Sequence, residues 1–201
     1  ANYLELTAAN AGTSTFNFNA GSSTLENTVA SVGGITVDAA GTATDDALSI
    51  VHGGASSVNS LSGQTLISTD FESITLNTTG TGAAGAQTVG AIAMTGSTGG
   101  TTSFNLTGSN SVTIAATTAN VIDASGLTGT TGVTMNAAAV GVTTITGSAG
   151  IDALIGDASS TINGGGGVDT ITGGSGNDVI NGDAGNDIID SNAGTDIVNG
   201  G

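Results

Sequence analysis

The chain contains no lysine, arginine, cysteine, proline or tryptophan in 201 residues. Without a basic side chain, sixteen acidic residues stand uncompensated and the formal charge is −16. This excludes nucleic acid as a partner, because affinity for phosphate backbones comes mainly from Lys and Arg. A bare anionic membrane or an acidic polymer is excluded in the same way, unless a divalent cation lies between the two surfaces. The lack of cysteine removes disulfides and thiolate metal sites and leaves the redox compartment open. The single histidine, His52, cannot build a zinc site, which draws on several His or Cys ligands. No run of 18 apolar residues exists, so direct membrane insertion as a helix is not expected. The expected ligand is therefore a cation, and only oxygen atoms are available to hold it.

What is present is small and β-prone. Glycine numbers 35 and aromatics make up only 2%. Yet 37% of residues are hydrophobic, too many for a solvated coil. Small β-branched apolar residues build a narrow β core rather than a wide one. Short runs alternating apolar with small polar residues recur at 73–76, 91–94, 103–106, 111–114, 120–123, 132–135 and 142–145. Turns rich in Gly, Ser, Thr and Asn separate them. Phe16-Asn17-Phe18 and Gly34-Ile35-Thr36-Val37 also read as strands, and no segment reads as a helix.

From Gly164 the sequence becomes periodic: GGGGVDTIT, then GGSGNDVIN from Gly173, GDAGNDIID from Gly182 and SNAGTDIVN from Ser191. Asp169, Asp178, Asp187 and Asp196 recur every nine residues, and Ile171, Ile180, Ile189 and Val198 follow each by two. The stretch from Gly147 to Leu154, with Asp152, fits the same template. Between it and Gly164 lies a unit one residue short that lacks the aspartate. The pattern is still running at Gly200-Gly201, and the chain opens Ala1-Asn2-Tyr3 without an initiator Met or a visible signal peptide. It reads as an excised or processed piece of something longer.

These units resemble the glycine-rich GGxGxDxUx nonapeptide of the RTX family, in which U is a large aliphatic residue. The resemblance implies an all-β fold: a right-handed parallel β-solenoid or β-roll with calcium-binding turns at its C-terminal end. Each nonamer would form a six-residue turn and a three-residue strand. Successive strands would lie on opposite sheets, so that eighteen residues complete a coil and units n and n+2 stack about 4.8 Å apart. Asp169 would then stack on Asp187, Asp178 on Asp196, and Asp152, seventeen residues before Asp169, could join the first pair. The expected organisation is an irregular, β-helix-like region over 1–146 continuous with the regular roll over 147–201.

Two carboxylates about 5 Å apart repel by roughly 3 kcal/mol at an effective dielectric near 20. Ca²⁺ removes that penalty, since it accepts six to eight hard oxygens at about 2.3–2.6 Å in flexible geometry. Mg²⁺ prefers a tighter octahedron and keeps its waters. The expected ligands are the carboxylates of Asp152, Asp169, Asp178, Asp187 and Asp196, with backbone carbonyls of Gly164, Gly166, Gly173, Ser175, Gly182 and Ala184. Ile162, Ile171, Ile180, Ile189 and Val198 should fill the core, while Val179, Ile188 and Ile197 should point outward. Asp183 and Asp190 fall outside the ligand position and should be solvated. Asp45-Asp46 is a faint echo of the repeat, read as an ordinary loop, and His52 is read as a loop residue.

No catalytic arrangement is recognisable: there is no Ser/His/Asp constellation, no HExxH and no P-loop lysine, so the chain is not expected to be an enzyme. An ice-binding Thr-x-Thr ladder has a single instance in the regular region, Thr170-Ile171-Thr172. Two further segments resemble surface-layer (S-layer) proteins that carry RTX repeats: Asp70-Phe71-Glu72-Ser73-Ile74-Thr75-Leu76, and Val121-Ile122-Asp123-Ala124-Ser125-Gly126-Leu127. That resemblance implies a structural segment of a secreted protein at the bacterial cell surface. It also implies type I export and self-association into a lattice or filament. A calcium-stabilised module of a large RTX adhesin is the alternative, and cell-surface polysaccharide stays open as a partner.

Overall fold

The fold is taken from a computed structural model. It describes residues 2–6, 14–19, 23–27, 35–40, 46–52, 66–78, 87–95, 100–135, 141 and 144–201. Among these residues every regular element is a strand. Two long parallel sheets take alternate strands of the chain. The first sheet runs through Asn2–Leu6, Ser23–Asn27, Ala47–His52, Ser73–Asn77, Ser103–Gly108, Val121–Leu127, Thr144–Thr146, Thr161–Asn163, Val179–Asn181 and Ile197–Asn199. The second runs through Ser14–Asn19, Ile35–Ala40, Leu66–Thr69, Gln87–Thr95, Val112–Thr117, Thr131–Met135, Ile151–Ile155, Thr170–Thr172 and Ile188–Asp190. Parallel neighbours need a crossover, and here the crossover from one strand to its partner is a strand of the opposite sheet.

Alternation in sequence becomes alternation in space. In Ser73–Asn77, Ile74 and Leu76 are buried while Ser73, Thr75 and Asn77 are half-exposed. Phe104 and Leu106 repeat this one coil on, because successive side chains of a strand point to opposite faces. The largest fully buried side chains, Phe71 and Phe104, both lie in the wide part of the stack. Phe71 belongs to the short corner that carries the chain from Leu66–Thr69 to Ser73–Asn77. Asp70 in that corner has a φ of 60°, which Asp tolerates better than most residues.

Coil length changes along the stack. Ser73 pairs with Ser103, and Ile35 with Leu66, so these coils take 30 and 31 residues. Thr144 pairs with Thr161, Thr161 with Val179, and Val179 with Ile197, giving 17, 18 and 18. The nonamer phase is therefore the register: Ile162 stacks on Ile180 and Ile171 on Ile189. Turns pair as well as strands, with Gly166–Gly167 against Ala184–Gly185 in a small third sheet.

Ile162, Ile171 and Ile180 are buried as expected, and Val179, Ile188 and Ile197 are exposed. Ile189 is partly buried and packs against the core as expected, while Val198, in the last strand of the sequence, is 48% exposed. His52 closes the strand Ala47–His52 rather than lying in a loop, and its side chain is outside the described residues. So are Gly34, Val142 and Thr143 of the expected strand runs.

Candidate metal centre

In the regular coils each repeat aspartate sits at the corner where a turn enters a strand. Asp169 precedes Thr170–Thr172, Asp178 precedes Val179–Asn181, Asp187 precedes Ile188–Asp190 and Asp196 precedes Ile197–Asn199. At that corner the backbone N–H of the coil before has no strand carbonyl opposite it. A carboxylate oxygen takes its place: Asp169 N–H donates to Oδ1 of Asp187 at 2.9 Å, and Asp178 N–H to Oδ1 of Asp196 at 3.0 Å. One coil earlier, Asp152 N–H donates to Asp169 Oδ1 at 2.9 Å and Ser160 N–H to Asp178 Oδ1 at 2.7 Å. The carboxylates thus form two ladders, Asp152, Asp169 and Asp187 on one side and Asp178 and Asp196, preceded by Ser160, on the other.

The second oxygen is left over. Oδ2 of Asp169, Asp178 and Asp187 is buried with no hydrogen-bond partner, and a buried charged oxygen without a partner is costly. Burial pushes the Asp169 carboxyl up to about 6. The hydrogen bond from Asp152 N–H lowers it, and the negative charges of Asp152, Asp187 and Asp183 raise it. No lysine or arginine exists in the chain to neutralise these groups.

Glycine keeps a space open beside each orphan oxygen. A methyl group on Gly164 would lie 2.6 Å from the Gly182 carbonyl oxygen and 2.7 Å from Asp169 Oδ2. On Gly173 it would lie 2.7 Å from the Ser191 carbonyl and 2.8 Å from Asp178 Oδ2, and on Gly182 2.6 Å from the Gly200 carbonyl and 2.5 Å from Asp187 Oδ2. Only glycine leaves the carboxylate oxygen of one turn and the carbonyl of the next facing a common opening. Among the described residues no three acidic or histidine side chains converge, so any ion here must draw on backbone carbonyls as well. An all-oxygen set of mixed carboxylate and carbonyl donors suits Ca²⁺ rather than a softer metal. Such an ion would supply the positive charge that the orphan oxygens lack.

The sequence-predicted residues do not all stand alike. The Gly182 carbonyl borders the opening beside Asp169, and those of Gly164 and Gly173 border the equivalent positions at Gly147 and Gly156. Gly166, Ala184 and Ser175 lie in the paired turns, Gly166 against Ala184 and Ser175 against Ala193. The carbonyls of Ser191 and Gly200 join the set without having been expected. Both open a repeat unit, as Gly164, Gly173 and Gly182 do, and that shared position was the available signal.

Asp152 is brought into the ladder, but protein donors take both of its oxygens: Val133 N–H at 2.5 Å, Ser148 N–H at 2.7 Å, and the Ser148 hydroxyl at 3.0 and 3.1 Å. Burial still raises its pKa while those bonds lower it. Asp183 and Asp190 lie exposed outside the ladders, Asp183 accepting from Gly165 N–H at 3.3 Å and Asp190 from Asn192 N–H at 3.1 Å. Asp46 is buried away from the repeats. Its N–H donates to Glu72 Oε2 at 3.0 Å and its carbonyl accepts from Glu72 and Ser73 N–H, joining two coils. Asp45 lies outside the described residues.

No curated protein and no solved structure gives a significant match to this chain. One family model does: the RTX calcium-binding nonapeptide repeat, in four copies, matches residues 163–198. Asp169, Asp178, Asp187 and Asp196 all lie in this matched stretch, whose parallel strands are those of an RTX β-roll, while Asp152 and Ser160 lie before it.

Proposed function

We propose that the chain is a non-catalytic, calcium-dependent structural segment of a secreted, self-assembling protein of the bacterial cell surface, an S-layer or sheath. The observation that carries the calcium part is the set of orphan oxygens on Asp169, Asp178 and Asp187, each facing a carbonyl across a glycine in a chain without basic residues. The ligands are the carboxylates of Asp169, Asp178, Asp187 and Asp196 with backbone carbonyls of the stacked turns. The cell-surface part is supported by the two S-layer-like segments. One of them contributes the buried Phe71 and the other the strand Val121–Leu127.

Assembly follows from the charge. Identical chains at −16 with no basic residue cannot form intermolecular salt bridges, and at about 0.15 M salt their repulsion reaches only about 8 Å. Contacts between copies rest on polar and small apolar strand surfaces or on shared Ca²⁺.

Circular dichroism of the chain in EGTA, then with millimolar Ca²⁺ or Mg²⁺, tests the calcium part. Binding free energy is folding free energy where the site is absent from the unfolded chain, so β signal should rise with Ca²⁺ and little with Mg²⁺. An identical spectrum in all three refutes it. Light scattering of the parent protein should show association with Ca²⁺ beyond that given by monovalent salt of equal ionic strength. A parent that stays monomeric at saturating Ca²⁺ favours the adhesin.

A further inference from the structure

The repeats do not begin abruptly. Residues 147–163 make one turn of the solenoid that obeys the repeat's spacing yet needs no ion at the repeat's ligand positions. At the first of these, Asp152 is 2% exposed and its carboxylate is satisfied by Val133 N–H and by the N–H and hydroxyl of Ser148. Val133 belongs to Thr131–Met135, one coil earlier, so that bond ties the turn to the wide part of the stack. At the second, serine replaces aspartate. Ser160 is 3% exposed, and its hydroxyl accepts from Asp157 N–H at 3.0 Å, closing its own turn. Asp157 also reaches back, accepting from Gly141 N–H at 2.7 Å.

The same two residues face forward into the repeats. Asp152 N–H holds Oδ1 of Asp169, and Ser160 N–H holds Oδ1 of Asp178. In each case the oxygen left unpartnered is Oδ2, the one at the glycine opening. The turns are joined too: Ser148 and Asp157 carbonyls accept from Gly166 and Ser175 N–H at 2.9 and 3.0 Å.

We propose that residues 147–163 are an ion-independent template that positions Asp169 and Asp178 for the first cations, so that Ca²⁺ loading and folding run in chain order toward Gly201. This rests on the calcium reading of the repeats. On it, Asp152 and Ser160 are positioning residues and Asp152 is not a ligand. Both Asp152 oxygens already have protein donors, unlike Oδ2 of Asp169 and Asp178.

Hydrogen exchange read by mass spectrometry on the 201-residue chain, in EGTA and in Ca²⁺, tests this. Amides of 147–163 should be protected in both, and those of 164–201 only with Ca²⁺. During a Ca²⁺ titration, protection should reach 164–182 before 183–201. Asp152→Ala should keep the full number of bound ions in a calorimetric titration but bind them roughly tenfold more weakly, the usual size for loss of a group that orients a ligand. Because that variant can fail to fold, Ser148→Ala is its companion. It removes the hydroxyl that donates to Asp152 and accepts from Gly150 N–H, leaves the Ser148 and Val133 N–H bonds in place, and should raise exchange of 147–163 in EGTA without loss of an ion. If 164–201 responds to Ca²⁺ but 147–163 also exchanges freely in EGTA, or if Asp152→Ala loses an ion, the template is refuted and the calcium reading stands. If 164–201 is equally protected in EGTA, the calcium reading itself fails.

Discussion

The coils up to Met135 and those after Thr144 solve one problem in two ways. In the wide part, a strand such as Ser103–Gly108 sends both Phe104 and Leu106 into the interior, and coils reach 30 residues. In the narrow part, Thr161–Asn163 sends in only Ile162, and coils take 18. The wide coils are filled by hydrophobic packing, and the narrow ones, with less interior, bring buried carboxylates to their corners.

Chelation should separate the two regions most sharply. In EGTA, proteinase K should trim the chain back toward residue 163 and leave the wide coils standing, while Ca²⁺ protects it to the end. Trypsin is useless here, since the chain offers no Lys or Arg. Mass spectrometry of the fragments decides, and uniform digestion would erase the contrast.

Truncating the wide core comes next. Phe104 is fully buried, and Phe104→Ala should cost about 3–5 kcal/mol. Urea unfolding of the wide coils should register the same loss with and without Ca²⁺. A loss that appears only in EGTA would mean that ions support both regions.

Gly164→Ala makes the converse test, placing a methyl against the Gly182 carbonyl and Asp169 Oδ2. It should remove one ion from the calorimetric count and leave Phe104 packing untouched. Asp190→Ala, at an exposed residue outside the ladders, should keep every ion and stay within about 0.5 kcal/mol of the parent.

The pH dependence of the ion-free chain is a further test. Asp169 is raised from 3.8 to about 6 by burial and by neighbouring carboxylates, so the folded state binds its proton more tightly than the unfolded state. In metal-free buffer the narrow region should therefore shift toward its folded state as pH falls from above 6 to about 4, and level off below. With Ca²⁺ the trend should reverse, because protons displace the ion. Thermal melts in metal-free buffer and in Ca²⁺ from pH 7 to pH 4 would resolve the two slopes, and parallel slopes would contradict the role given to the orphan oxygens.

The sequence announces the narrow region well, because a nine-residue period makes register and facing explicit: Ile162 on Ile180 is arithmetic once the phase is known. Strands with clear alternation, such as Ser73–Asn77 and Ser103–Gly108, are equally legible. Ser23–Asn27 and Leu66–Thr69 are not, because Ser, Thr and Asn occupy half or more of their positions and resemble the turns around them. The irregular coils before Thr144, which range from 18 to 31 residues, have no period to betray them. The situation of Asp152 was hidden for a related reason. Ser148 lies four residues away and could be noticed, but Val133 meets it only through the stacking of an irregular coil on a regular one.

The ladder bonds at Asp169, Asp178, Asp187 and Asp196 join each coil only to its immediate neighbours. A stack of this kind behaves as a one-dimensional chain of units, and that has a mechanical consequence. Tension applied at the Gly201 end peels one coil at a time, and each 18-residue coil pays out about 60 Å of extended chain where it occupied about 4.8 Å of the stack. On the calcium reading proposed for the repeats, the narrow region is a spring whose yield force is set by the dissolved calcium around it, in series with a wide region whose yield force is not.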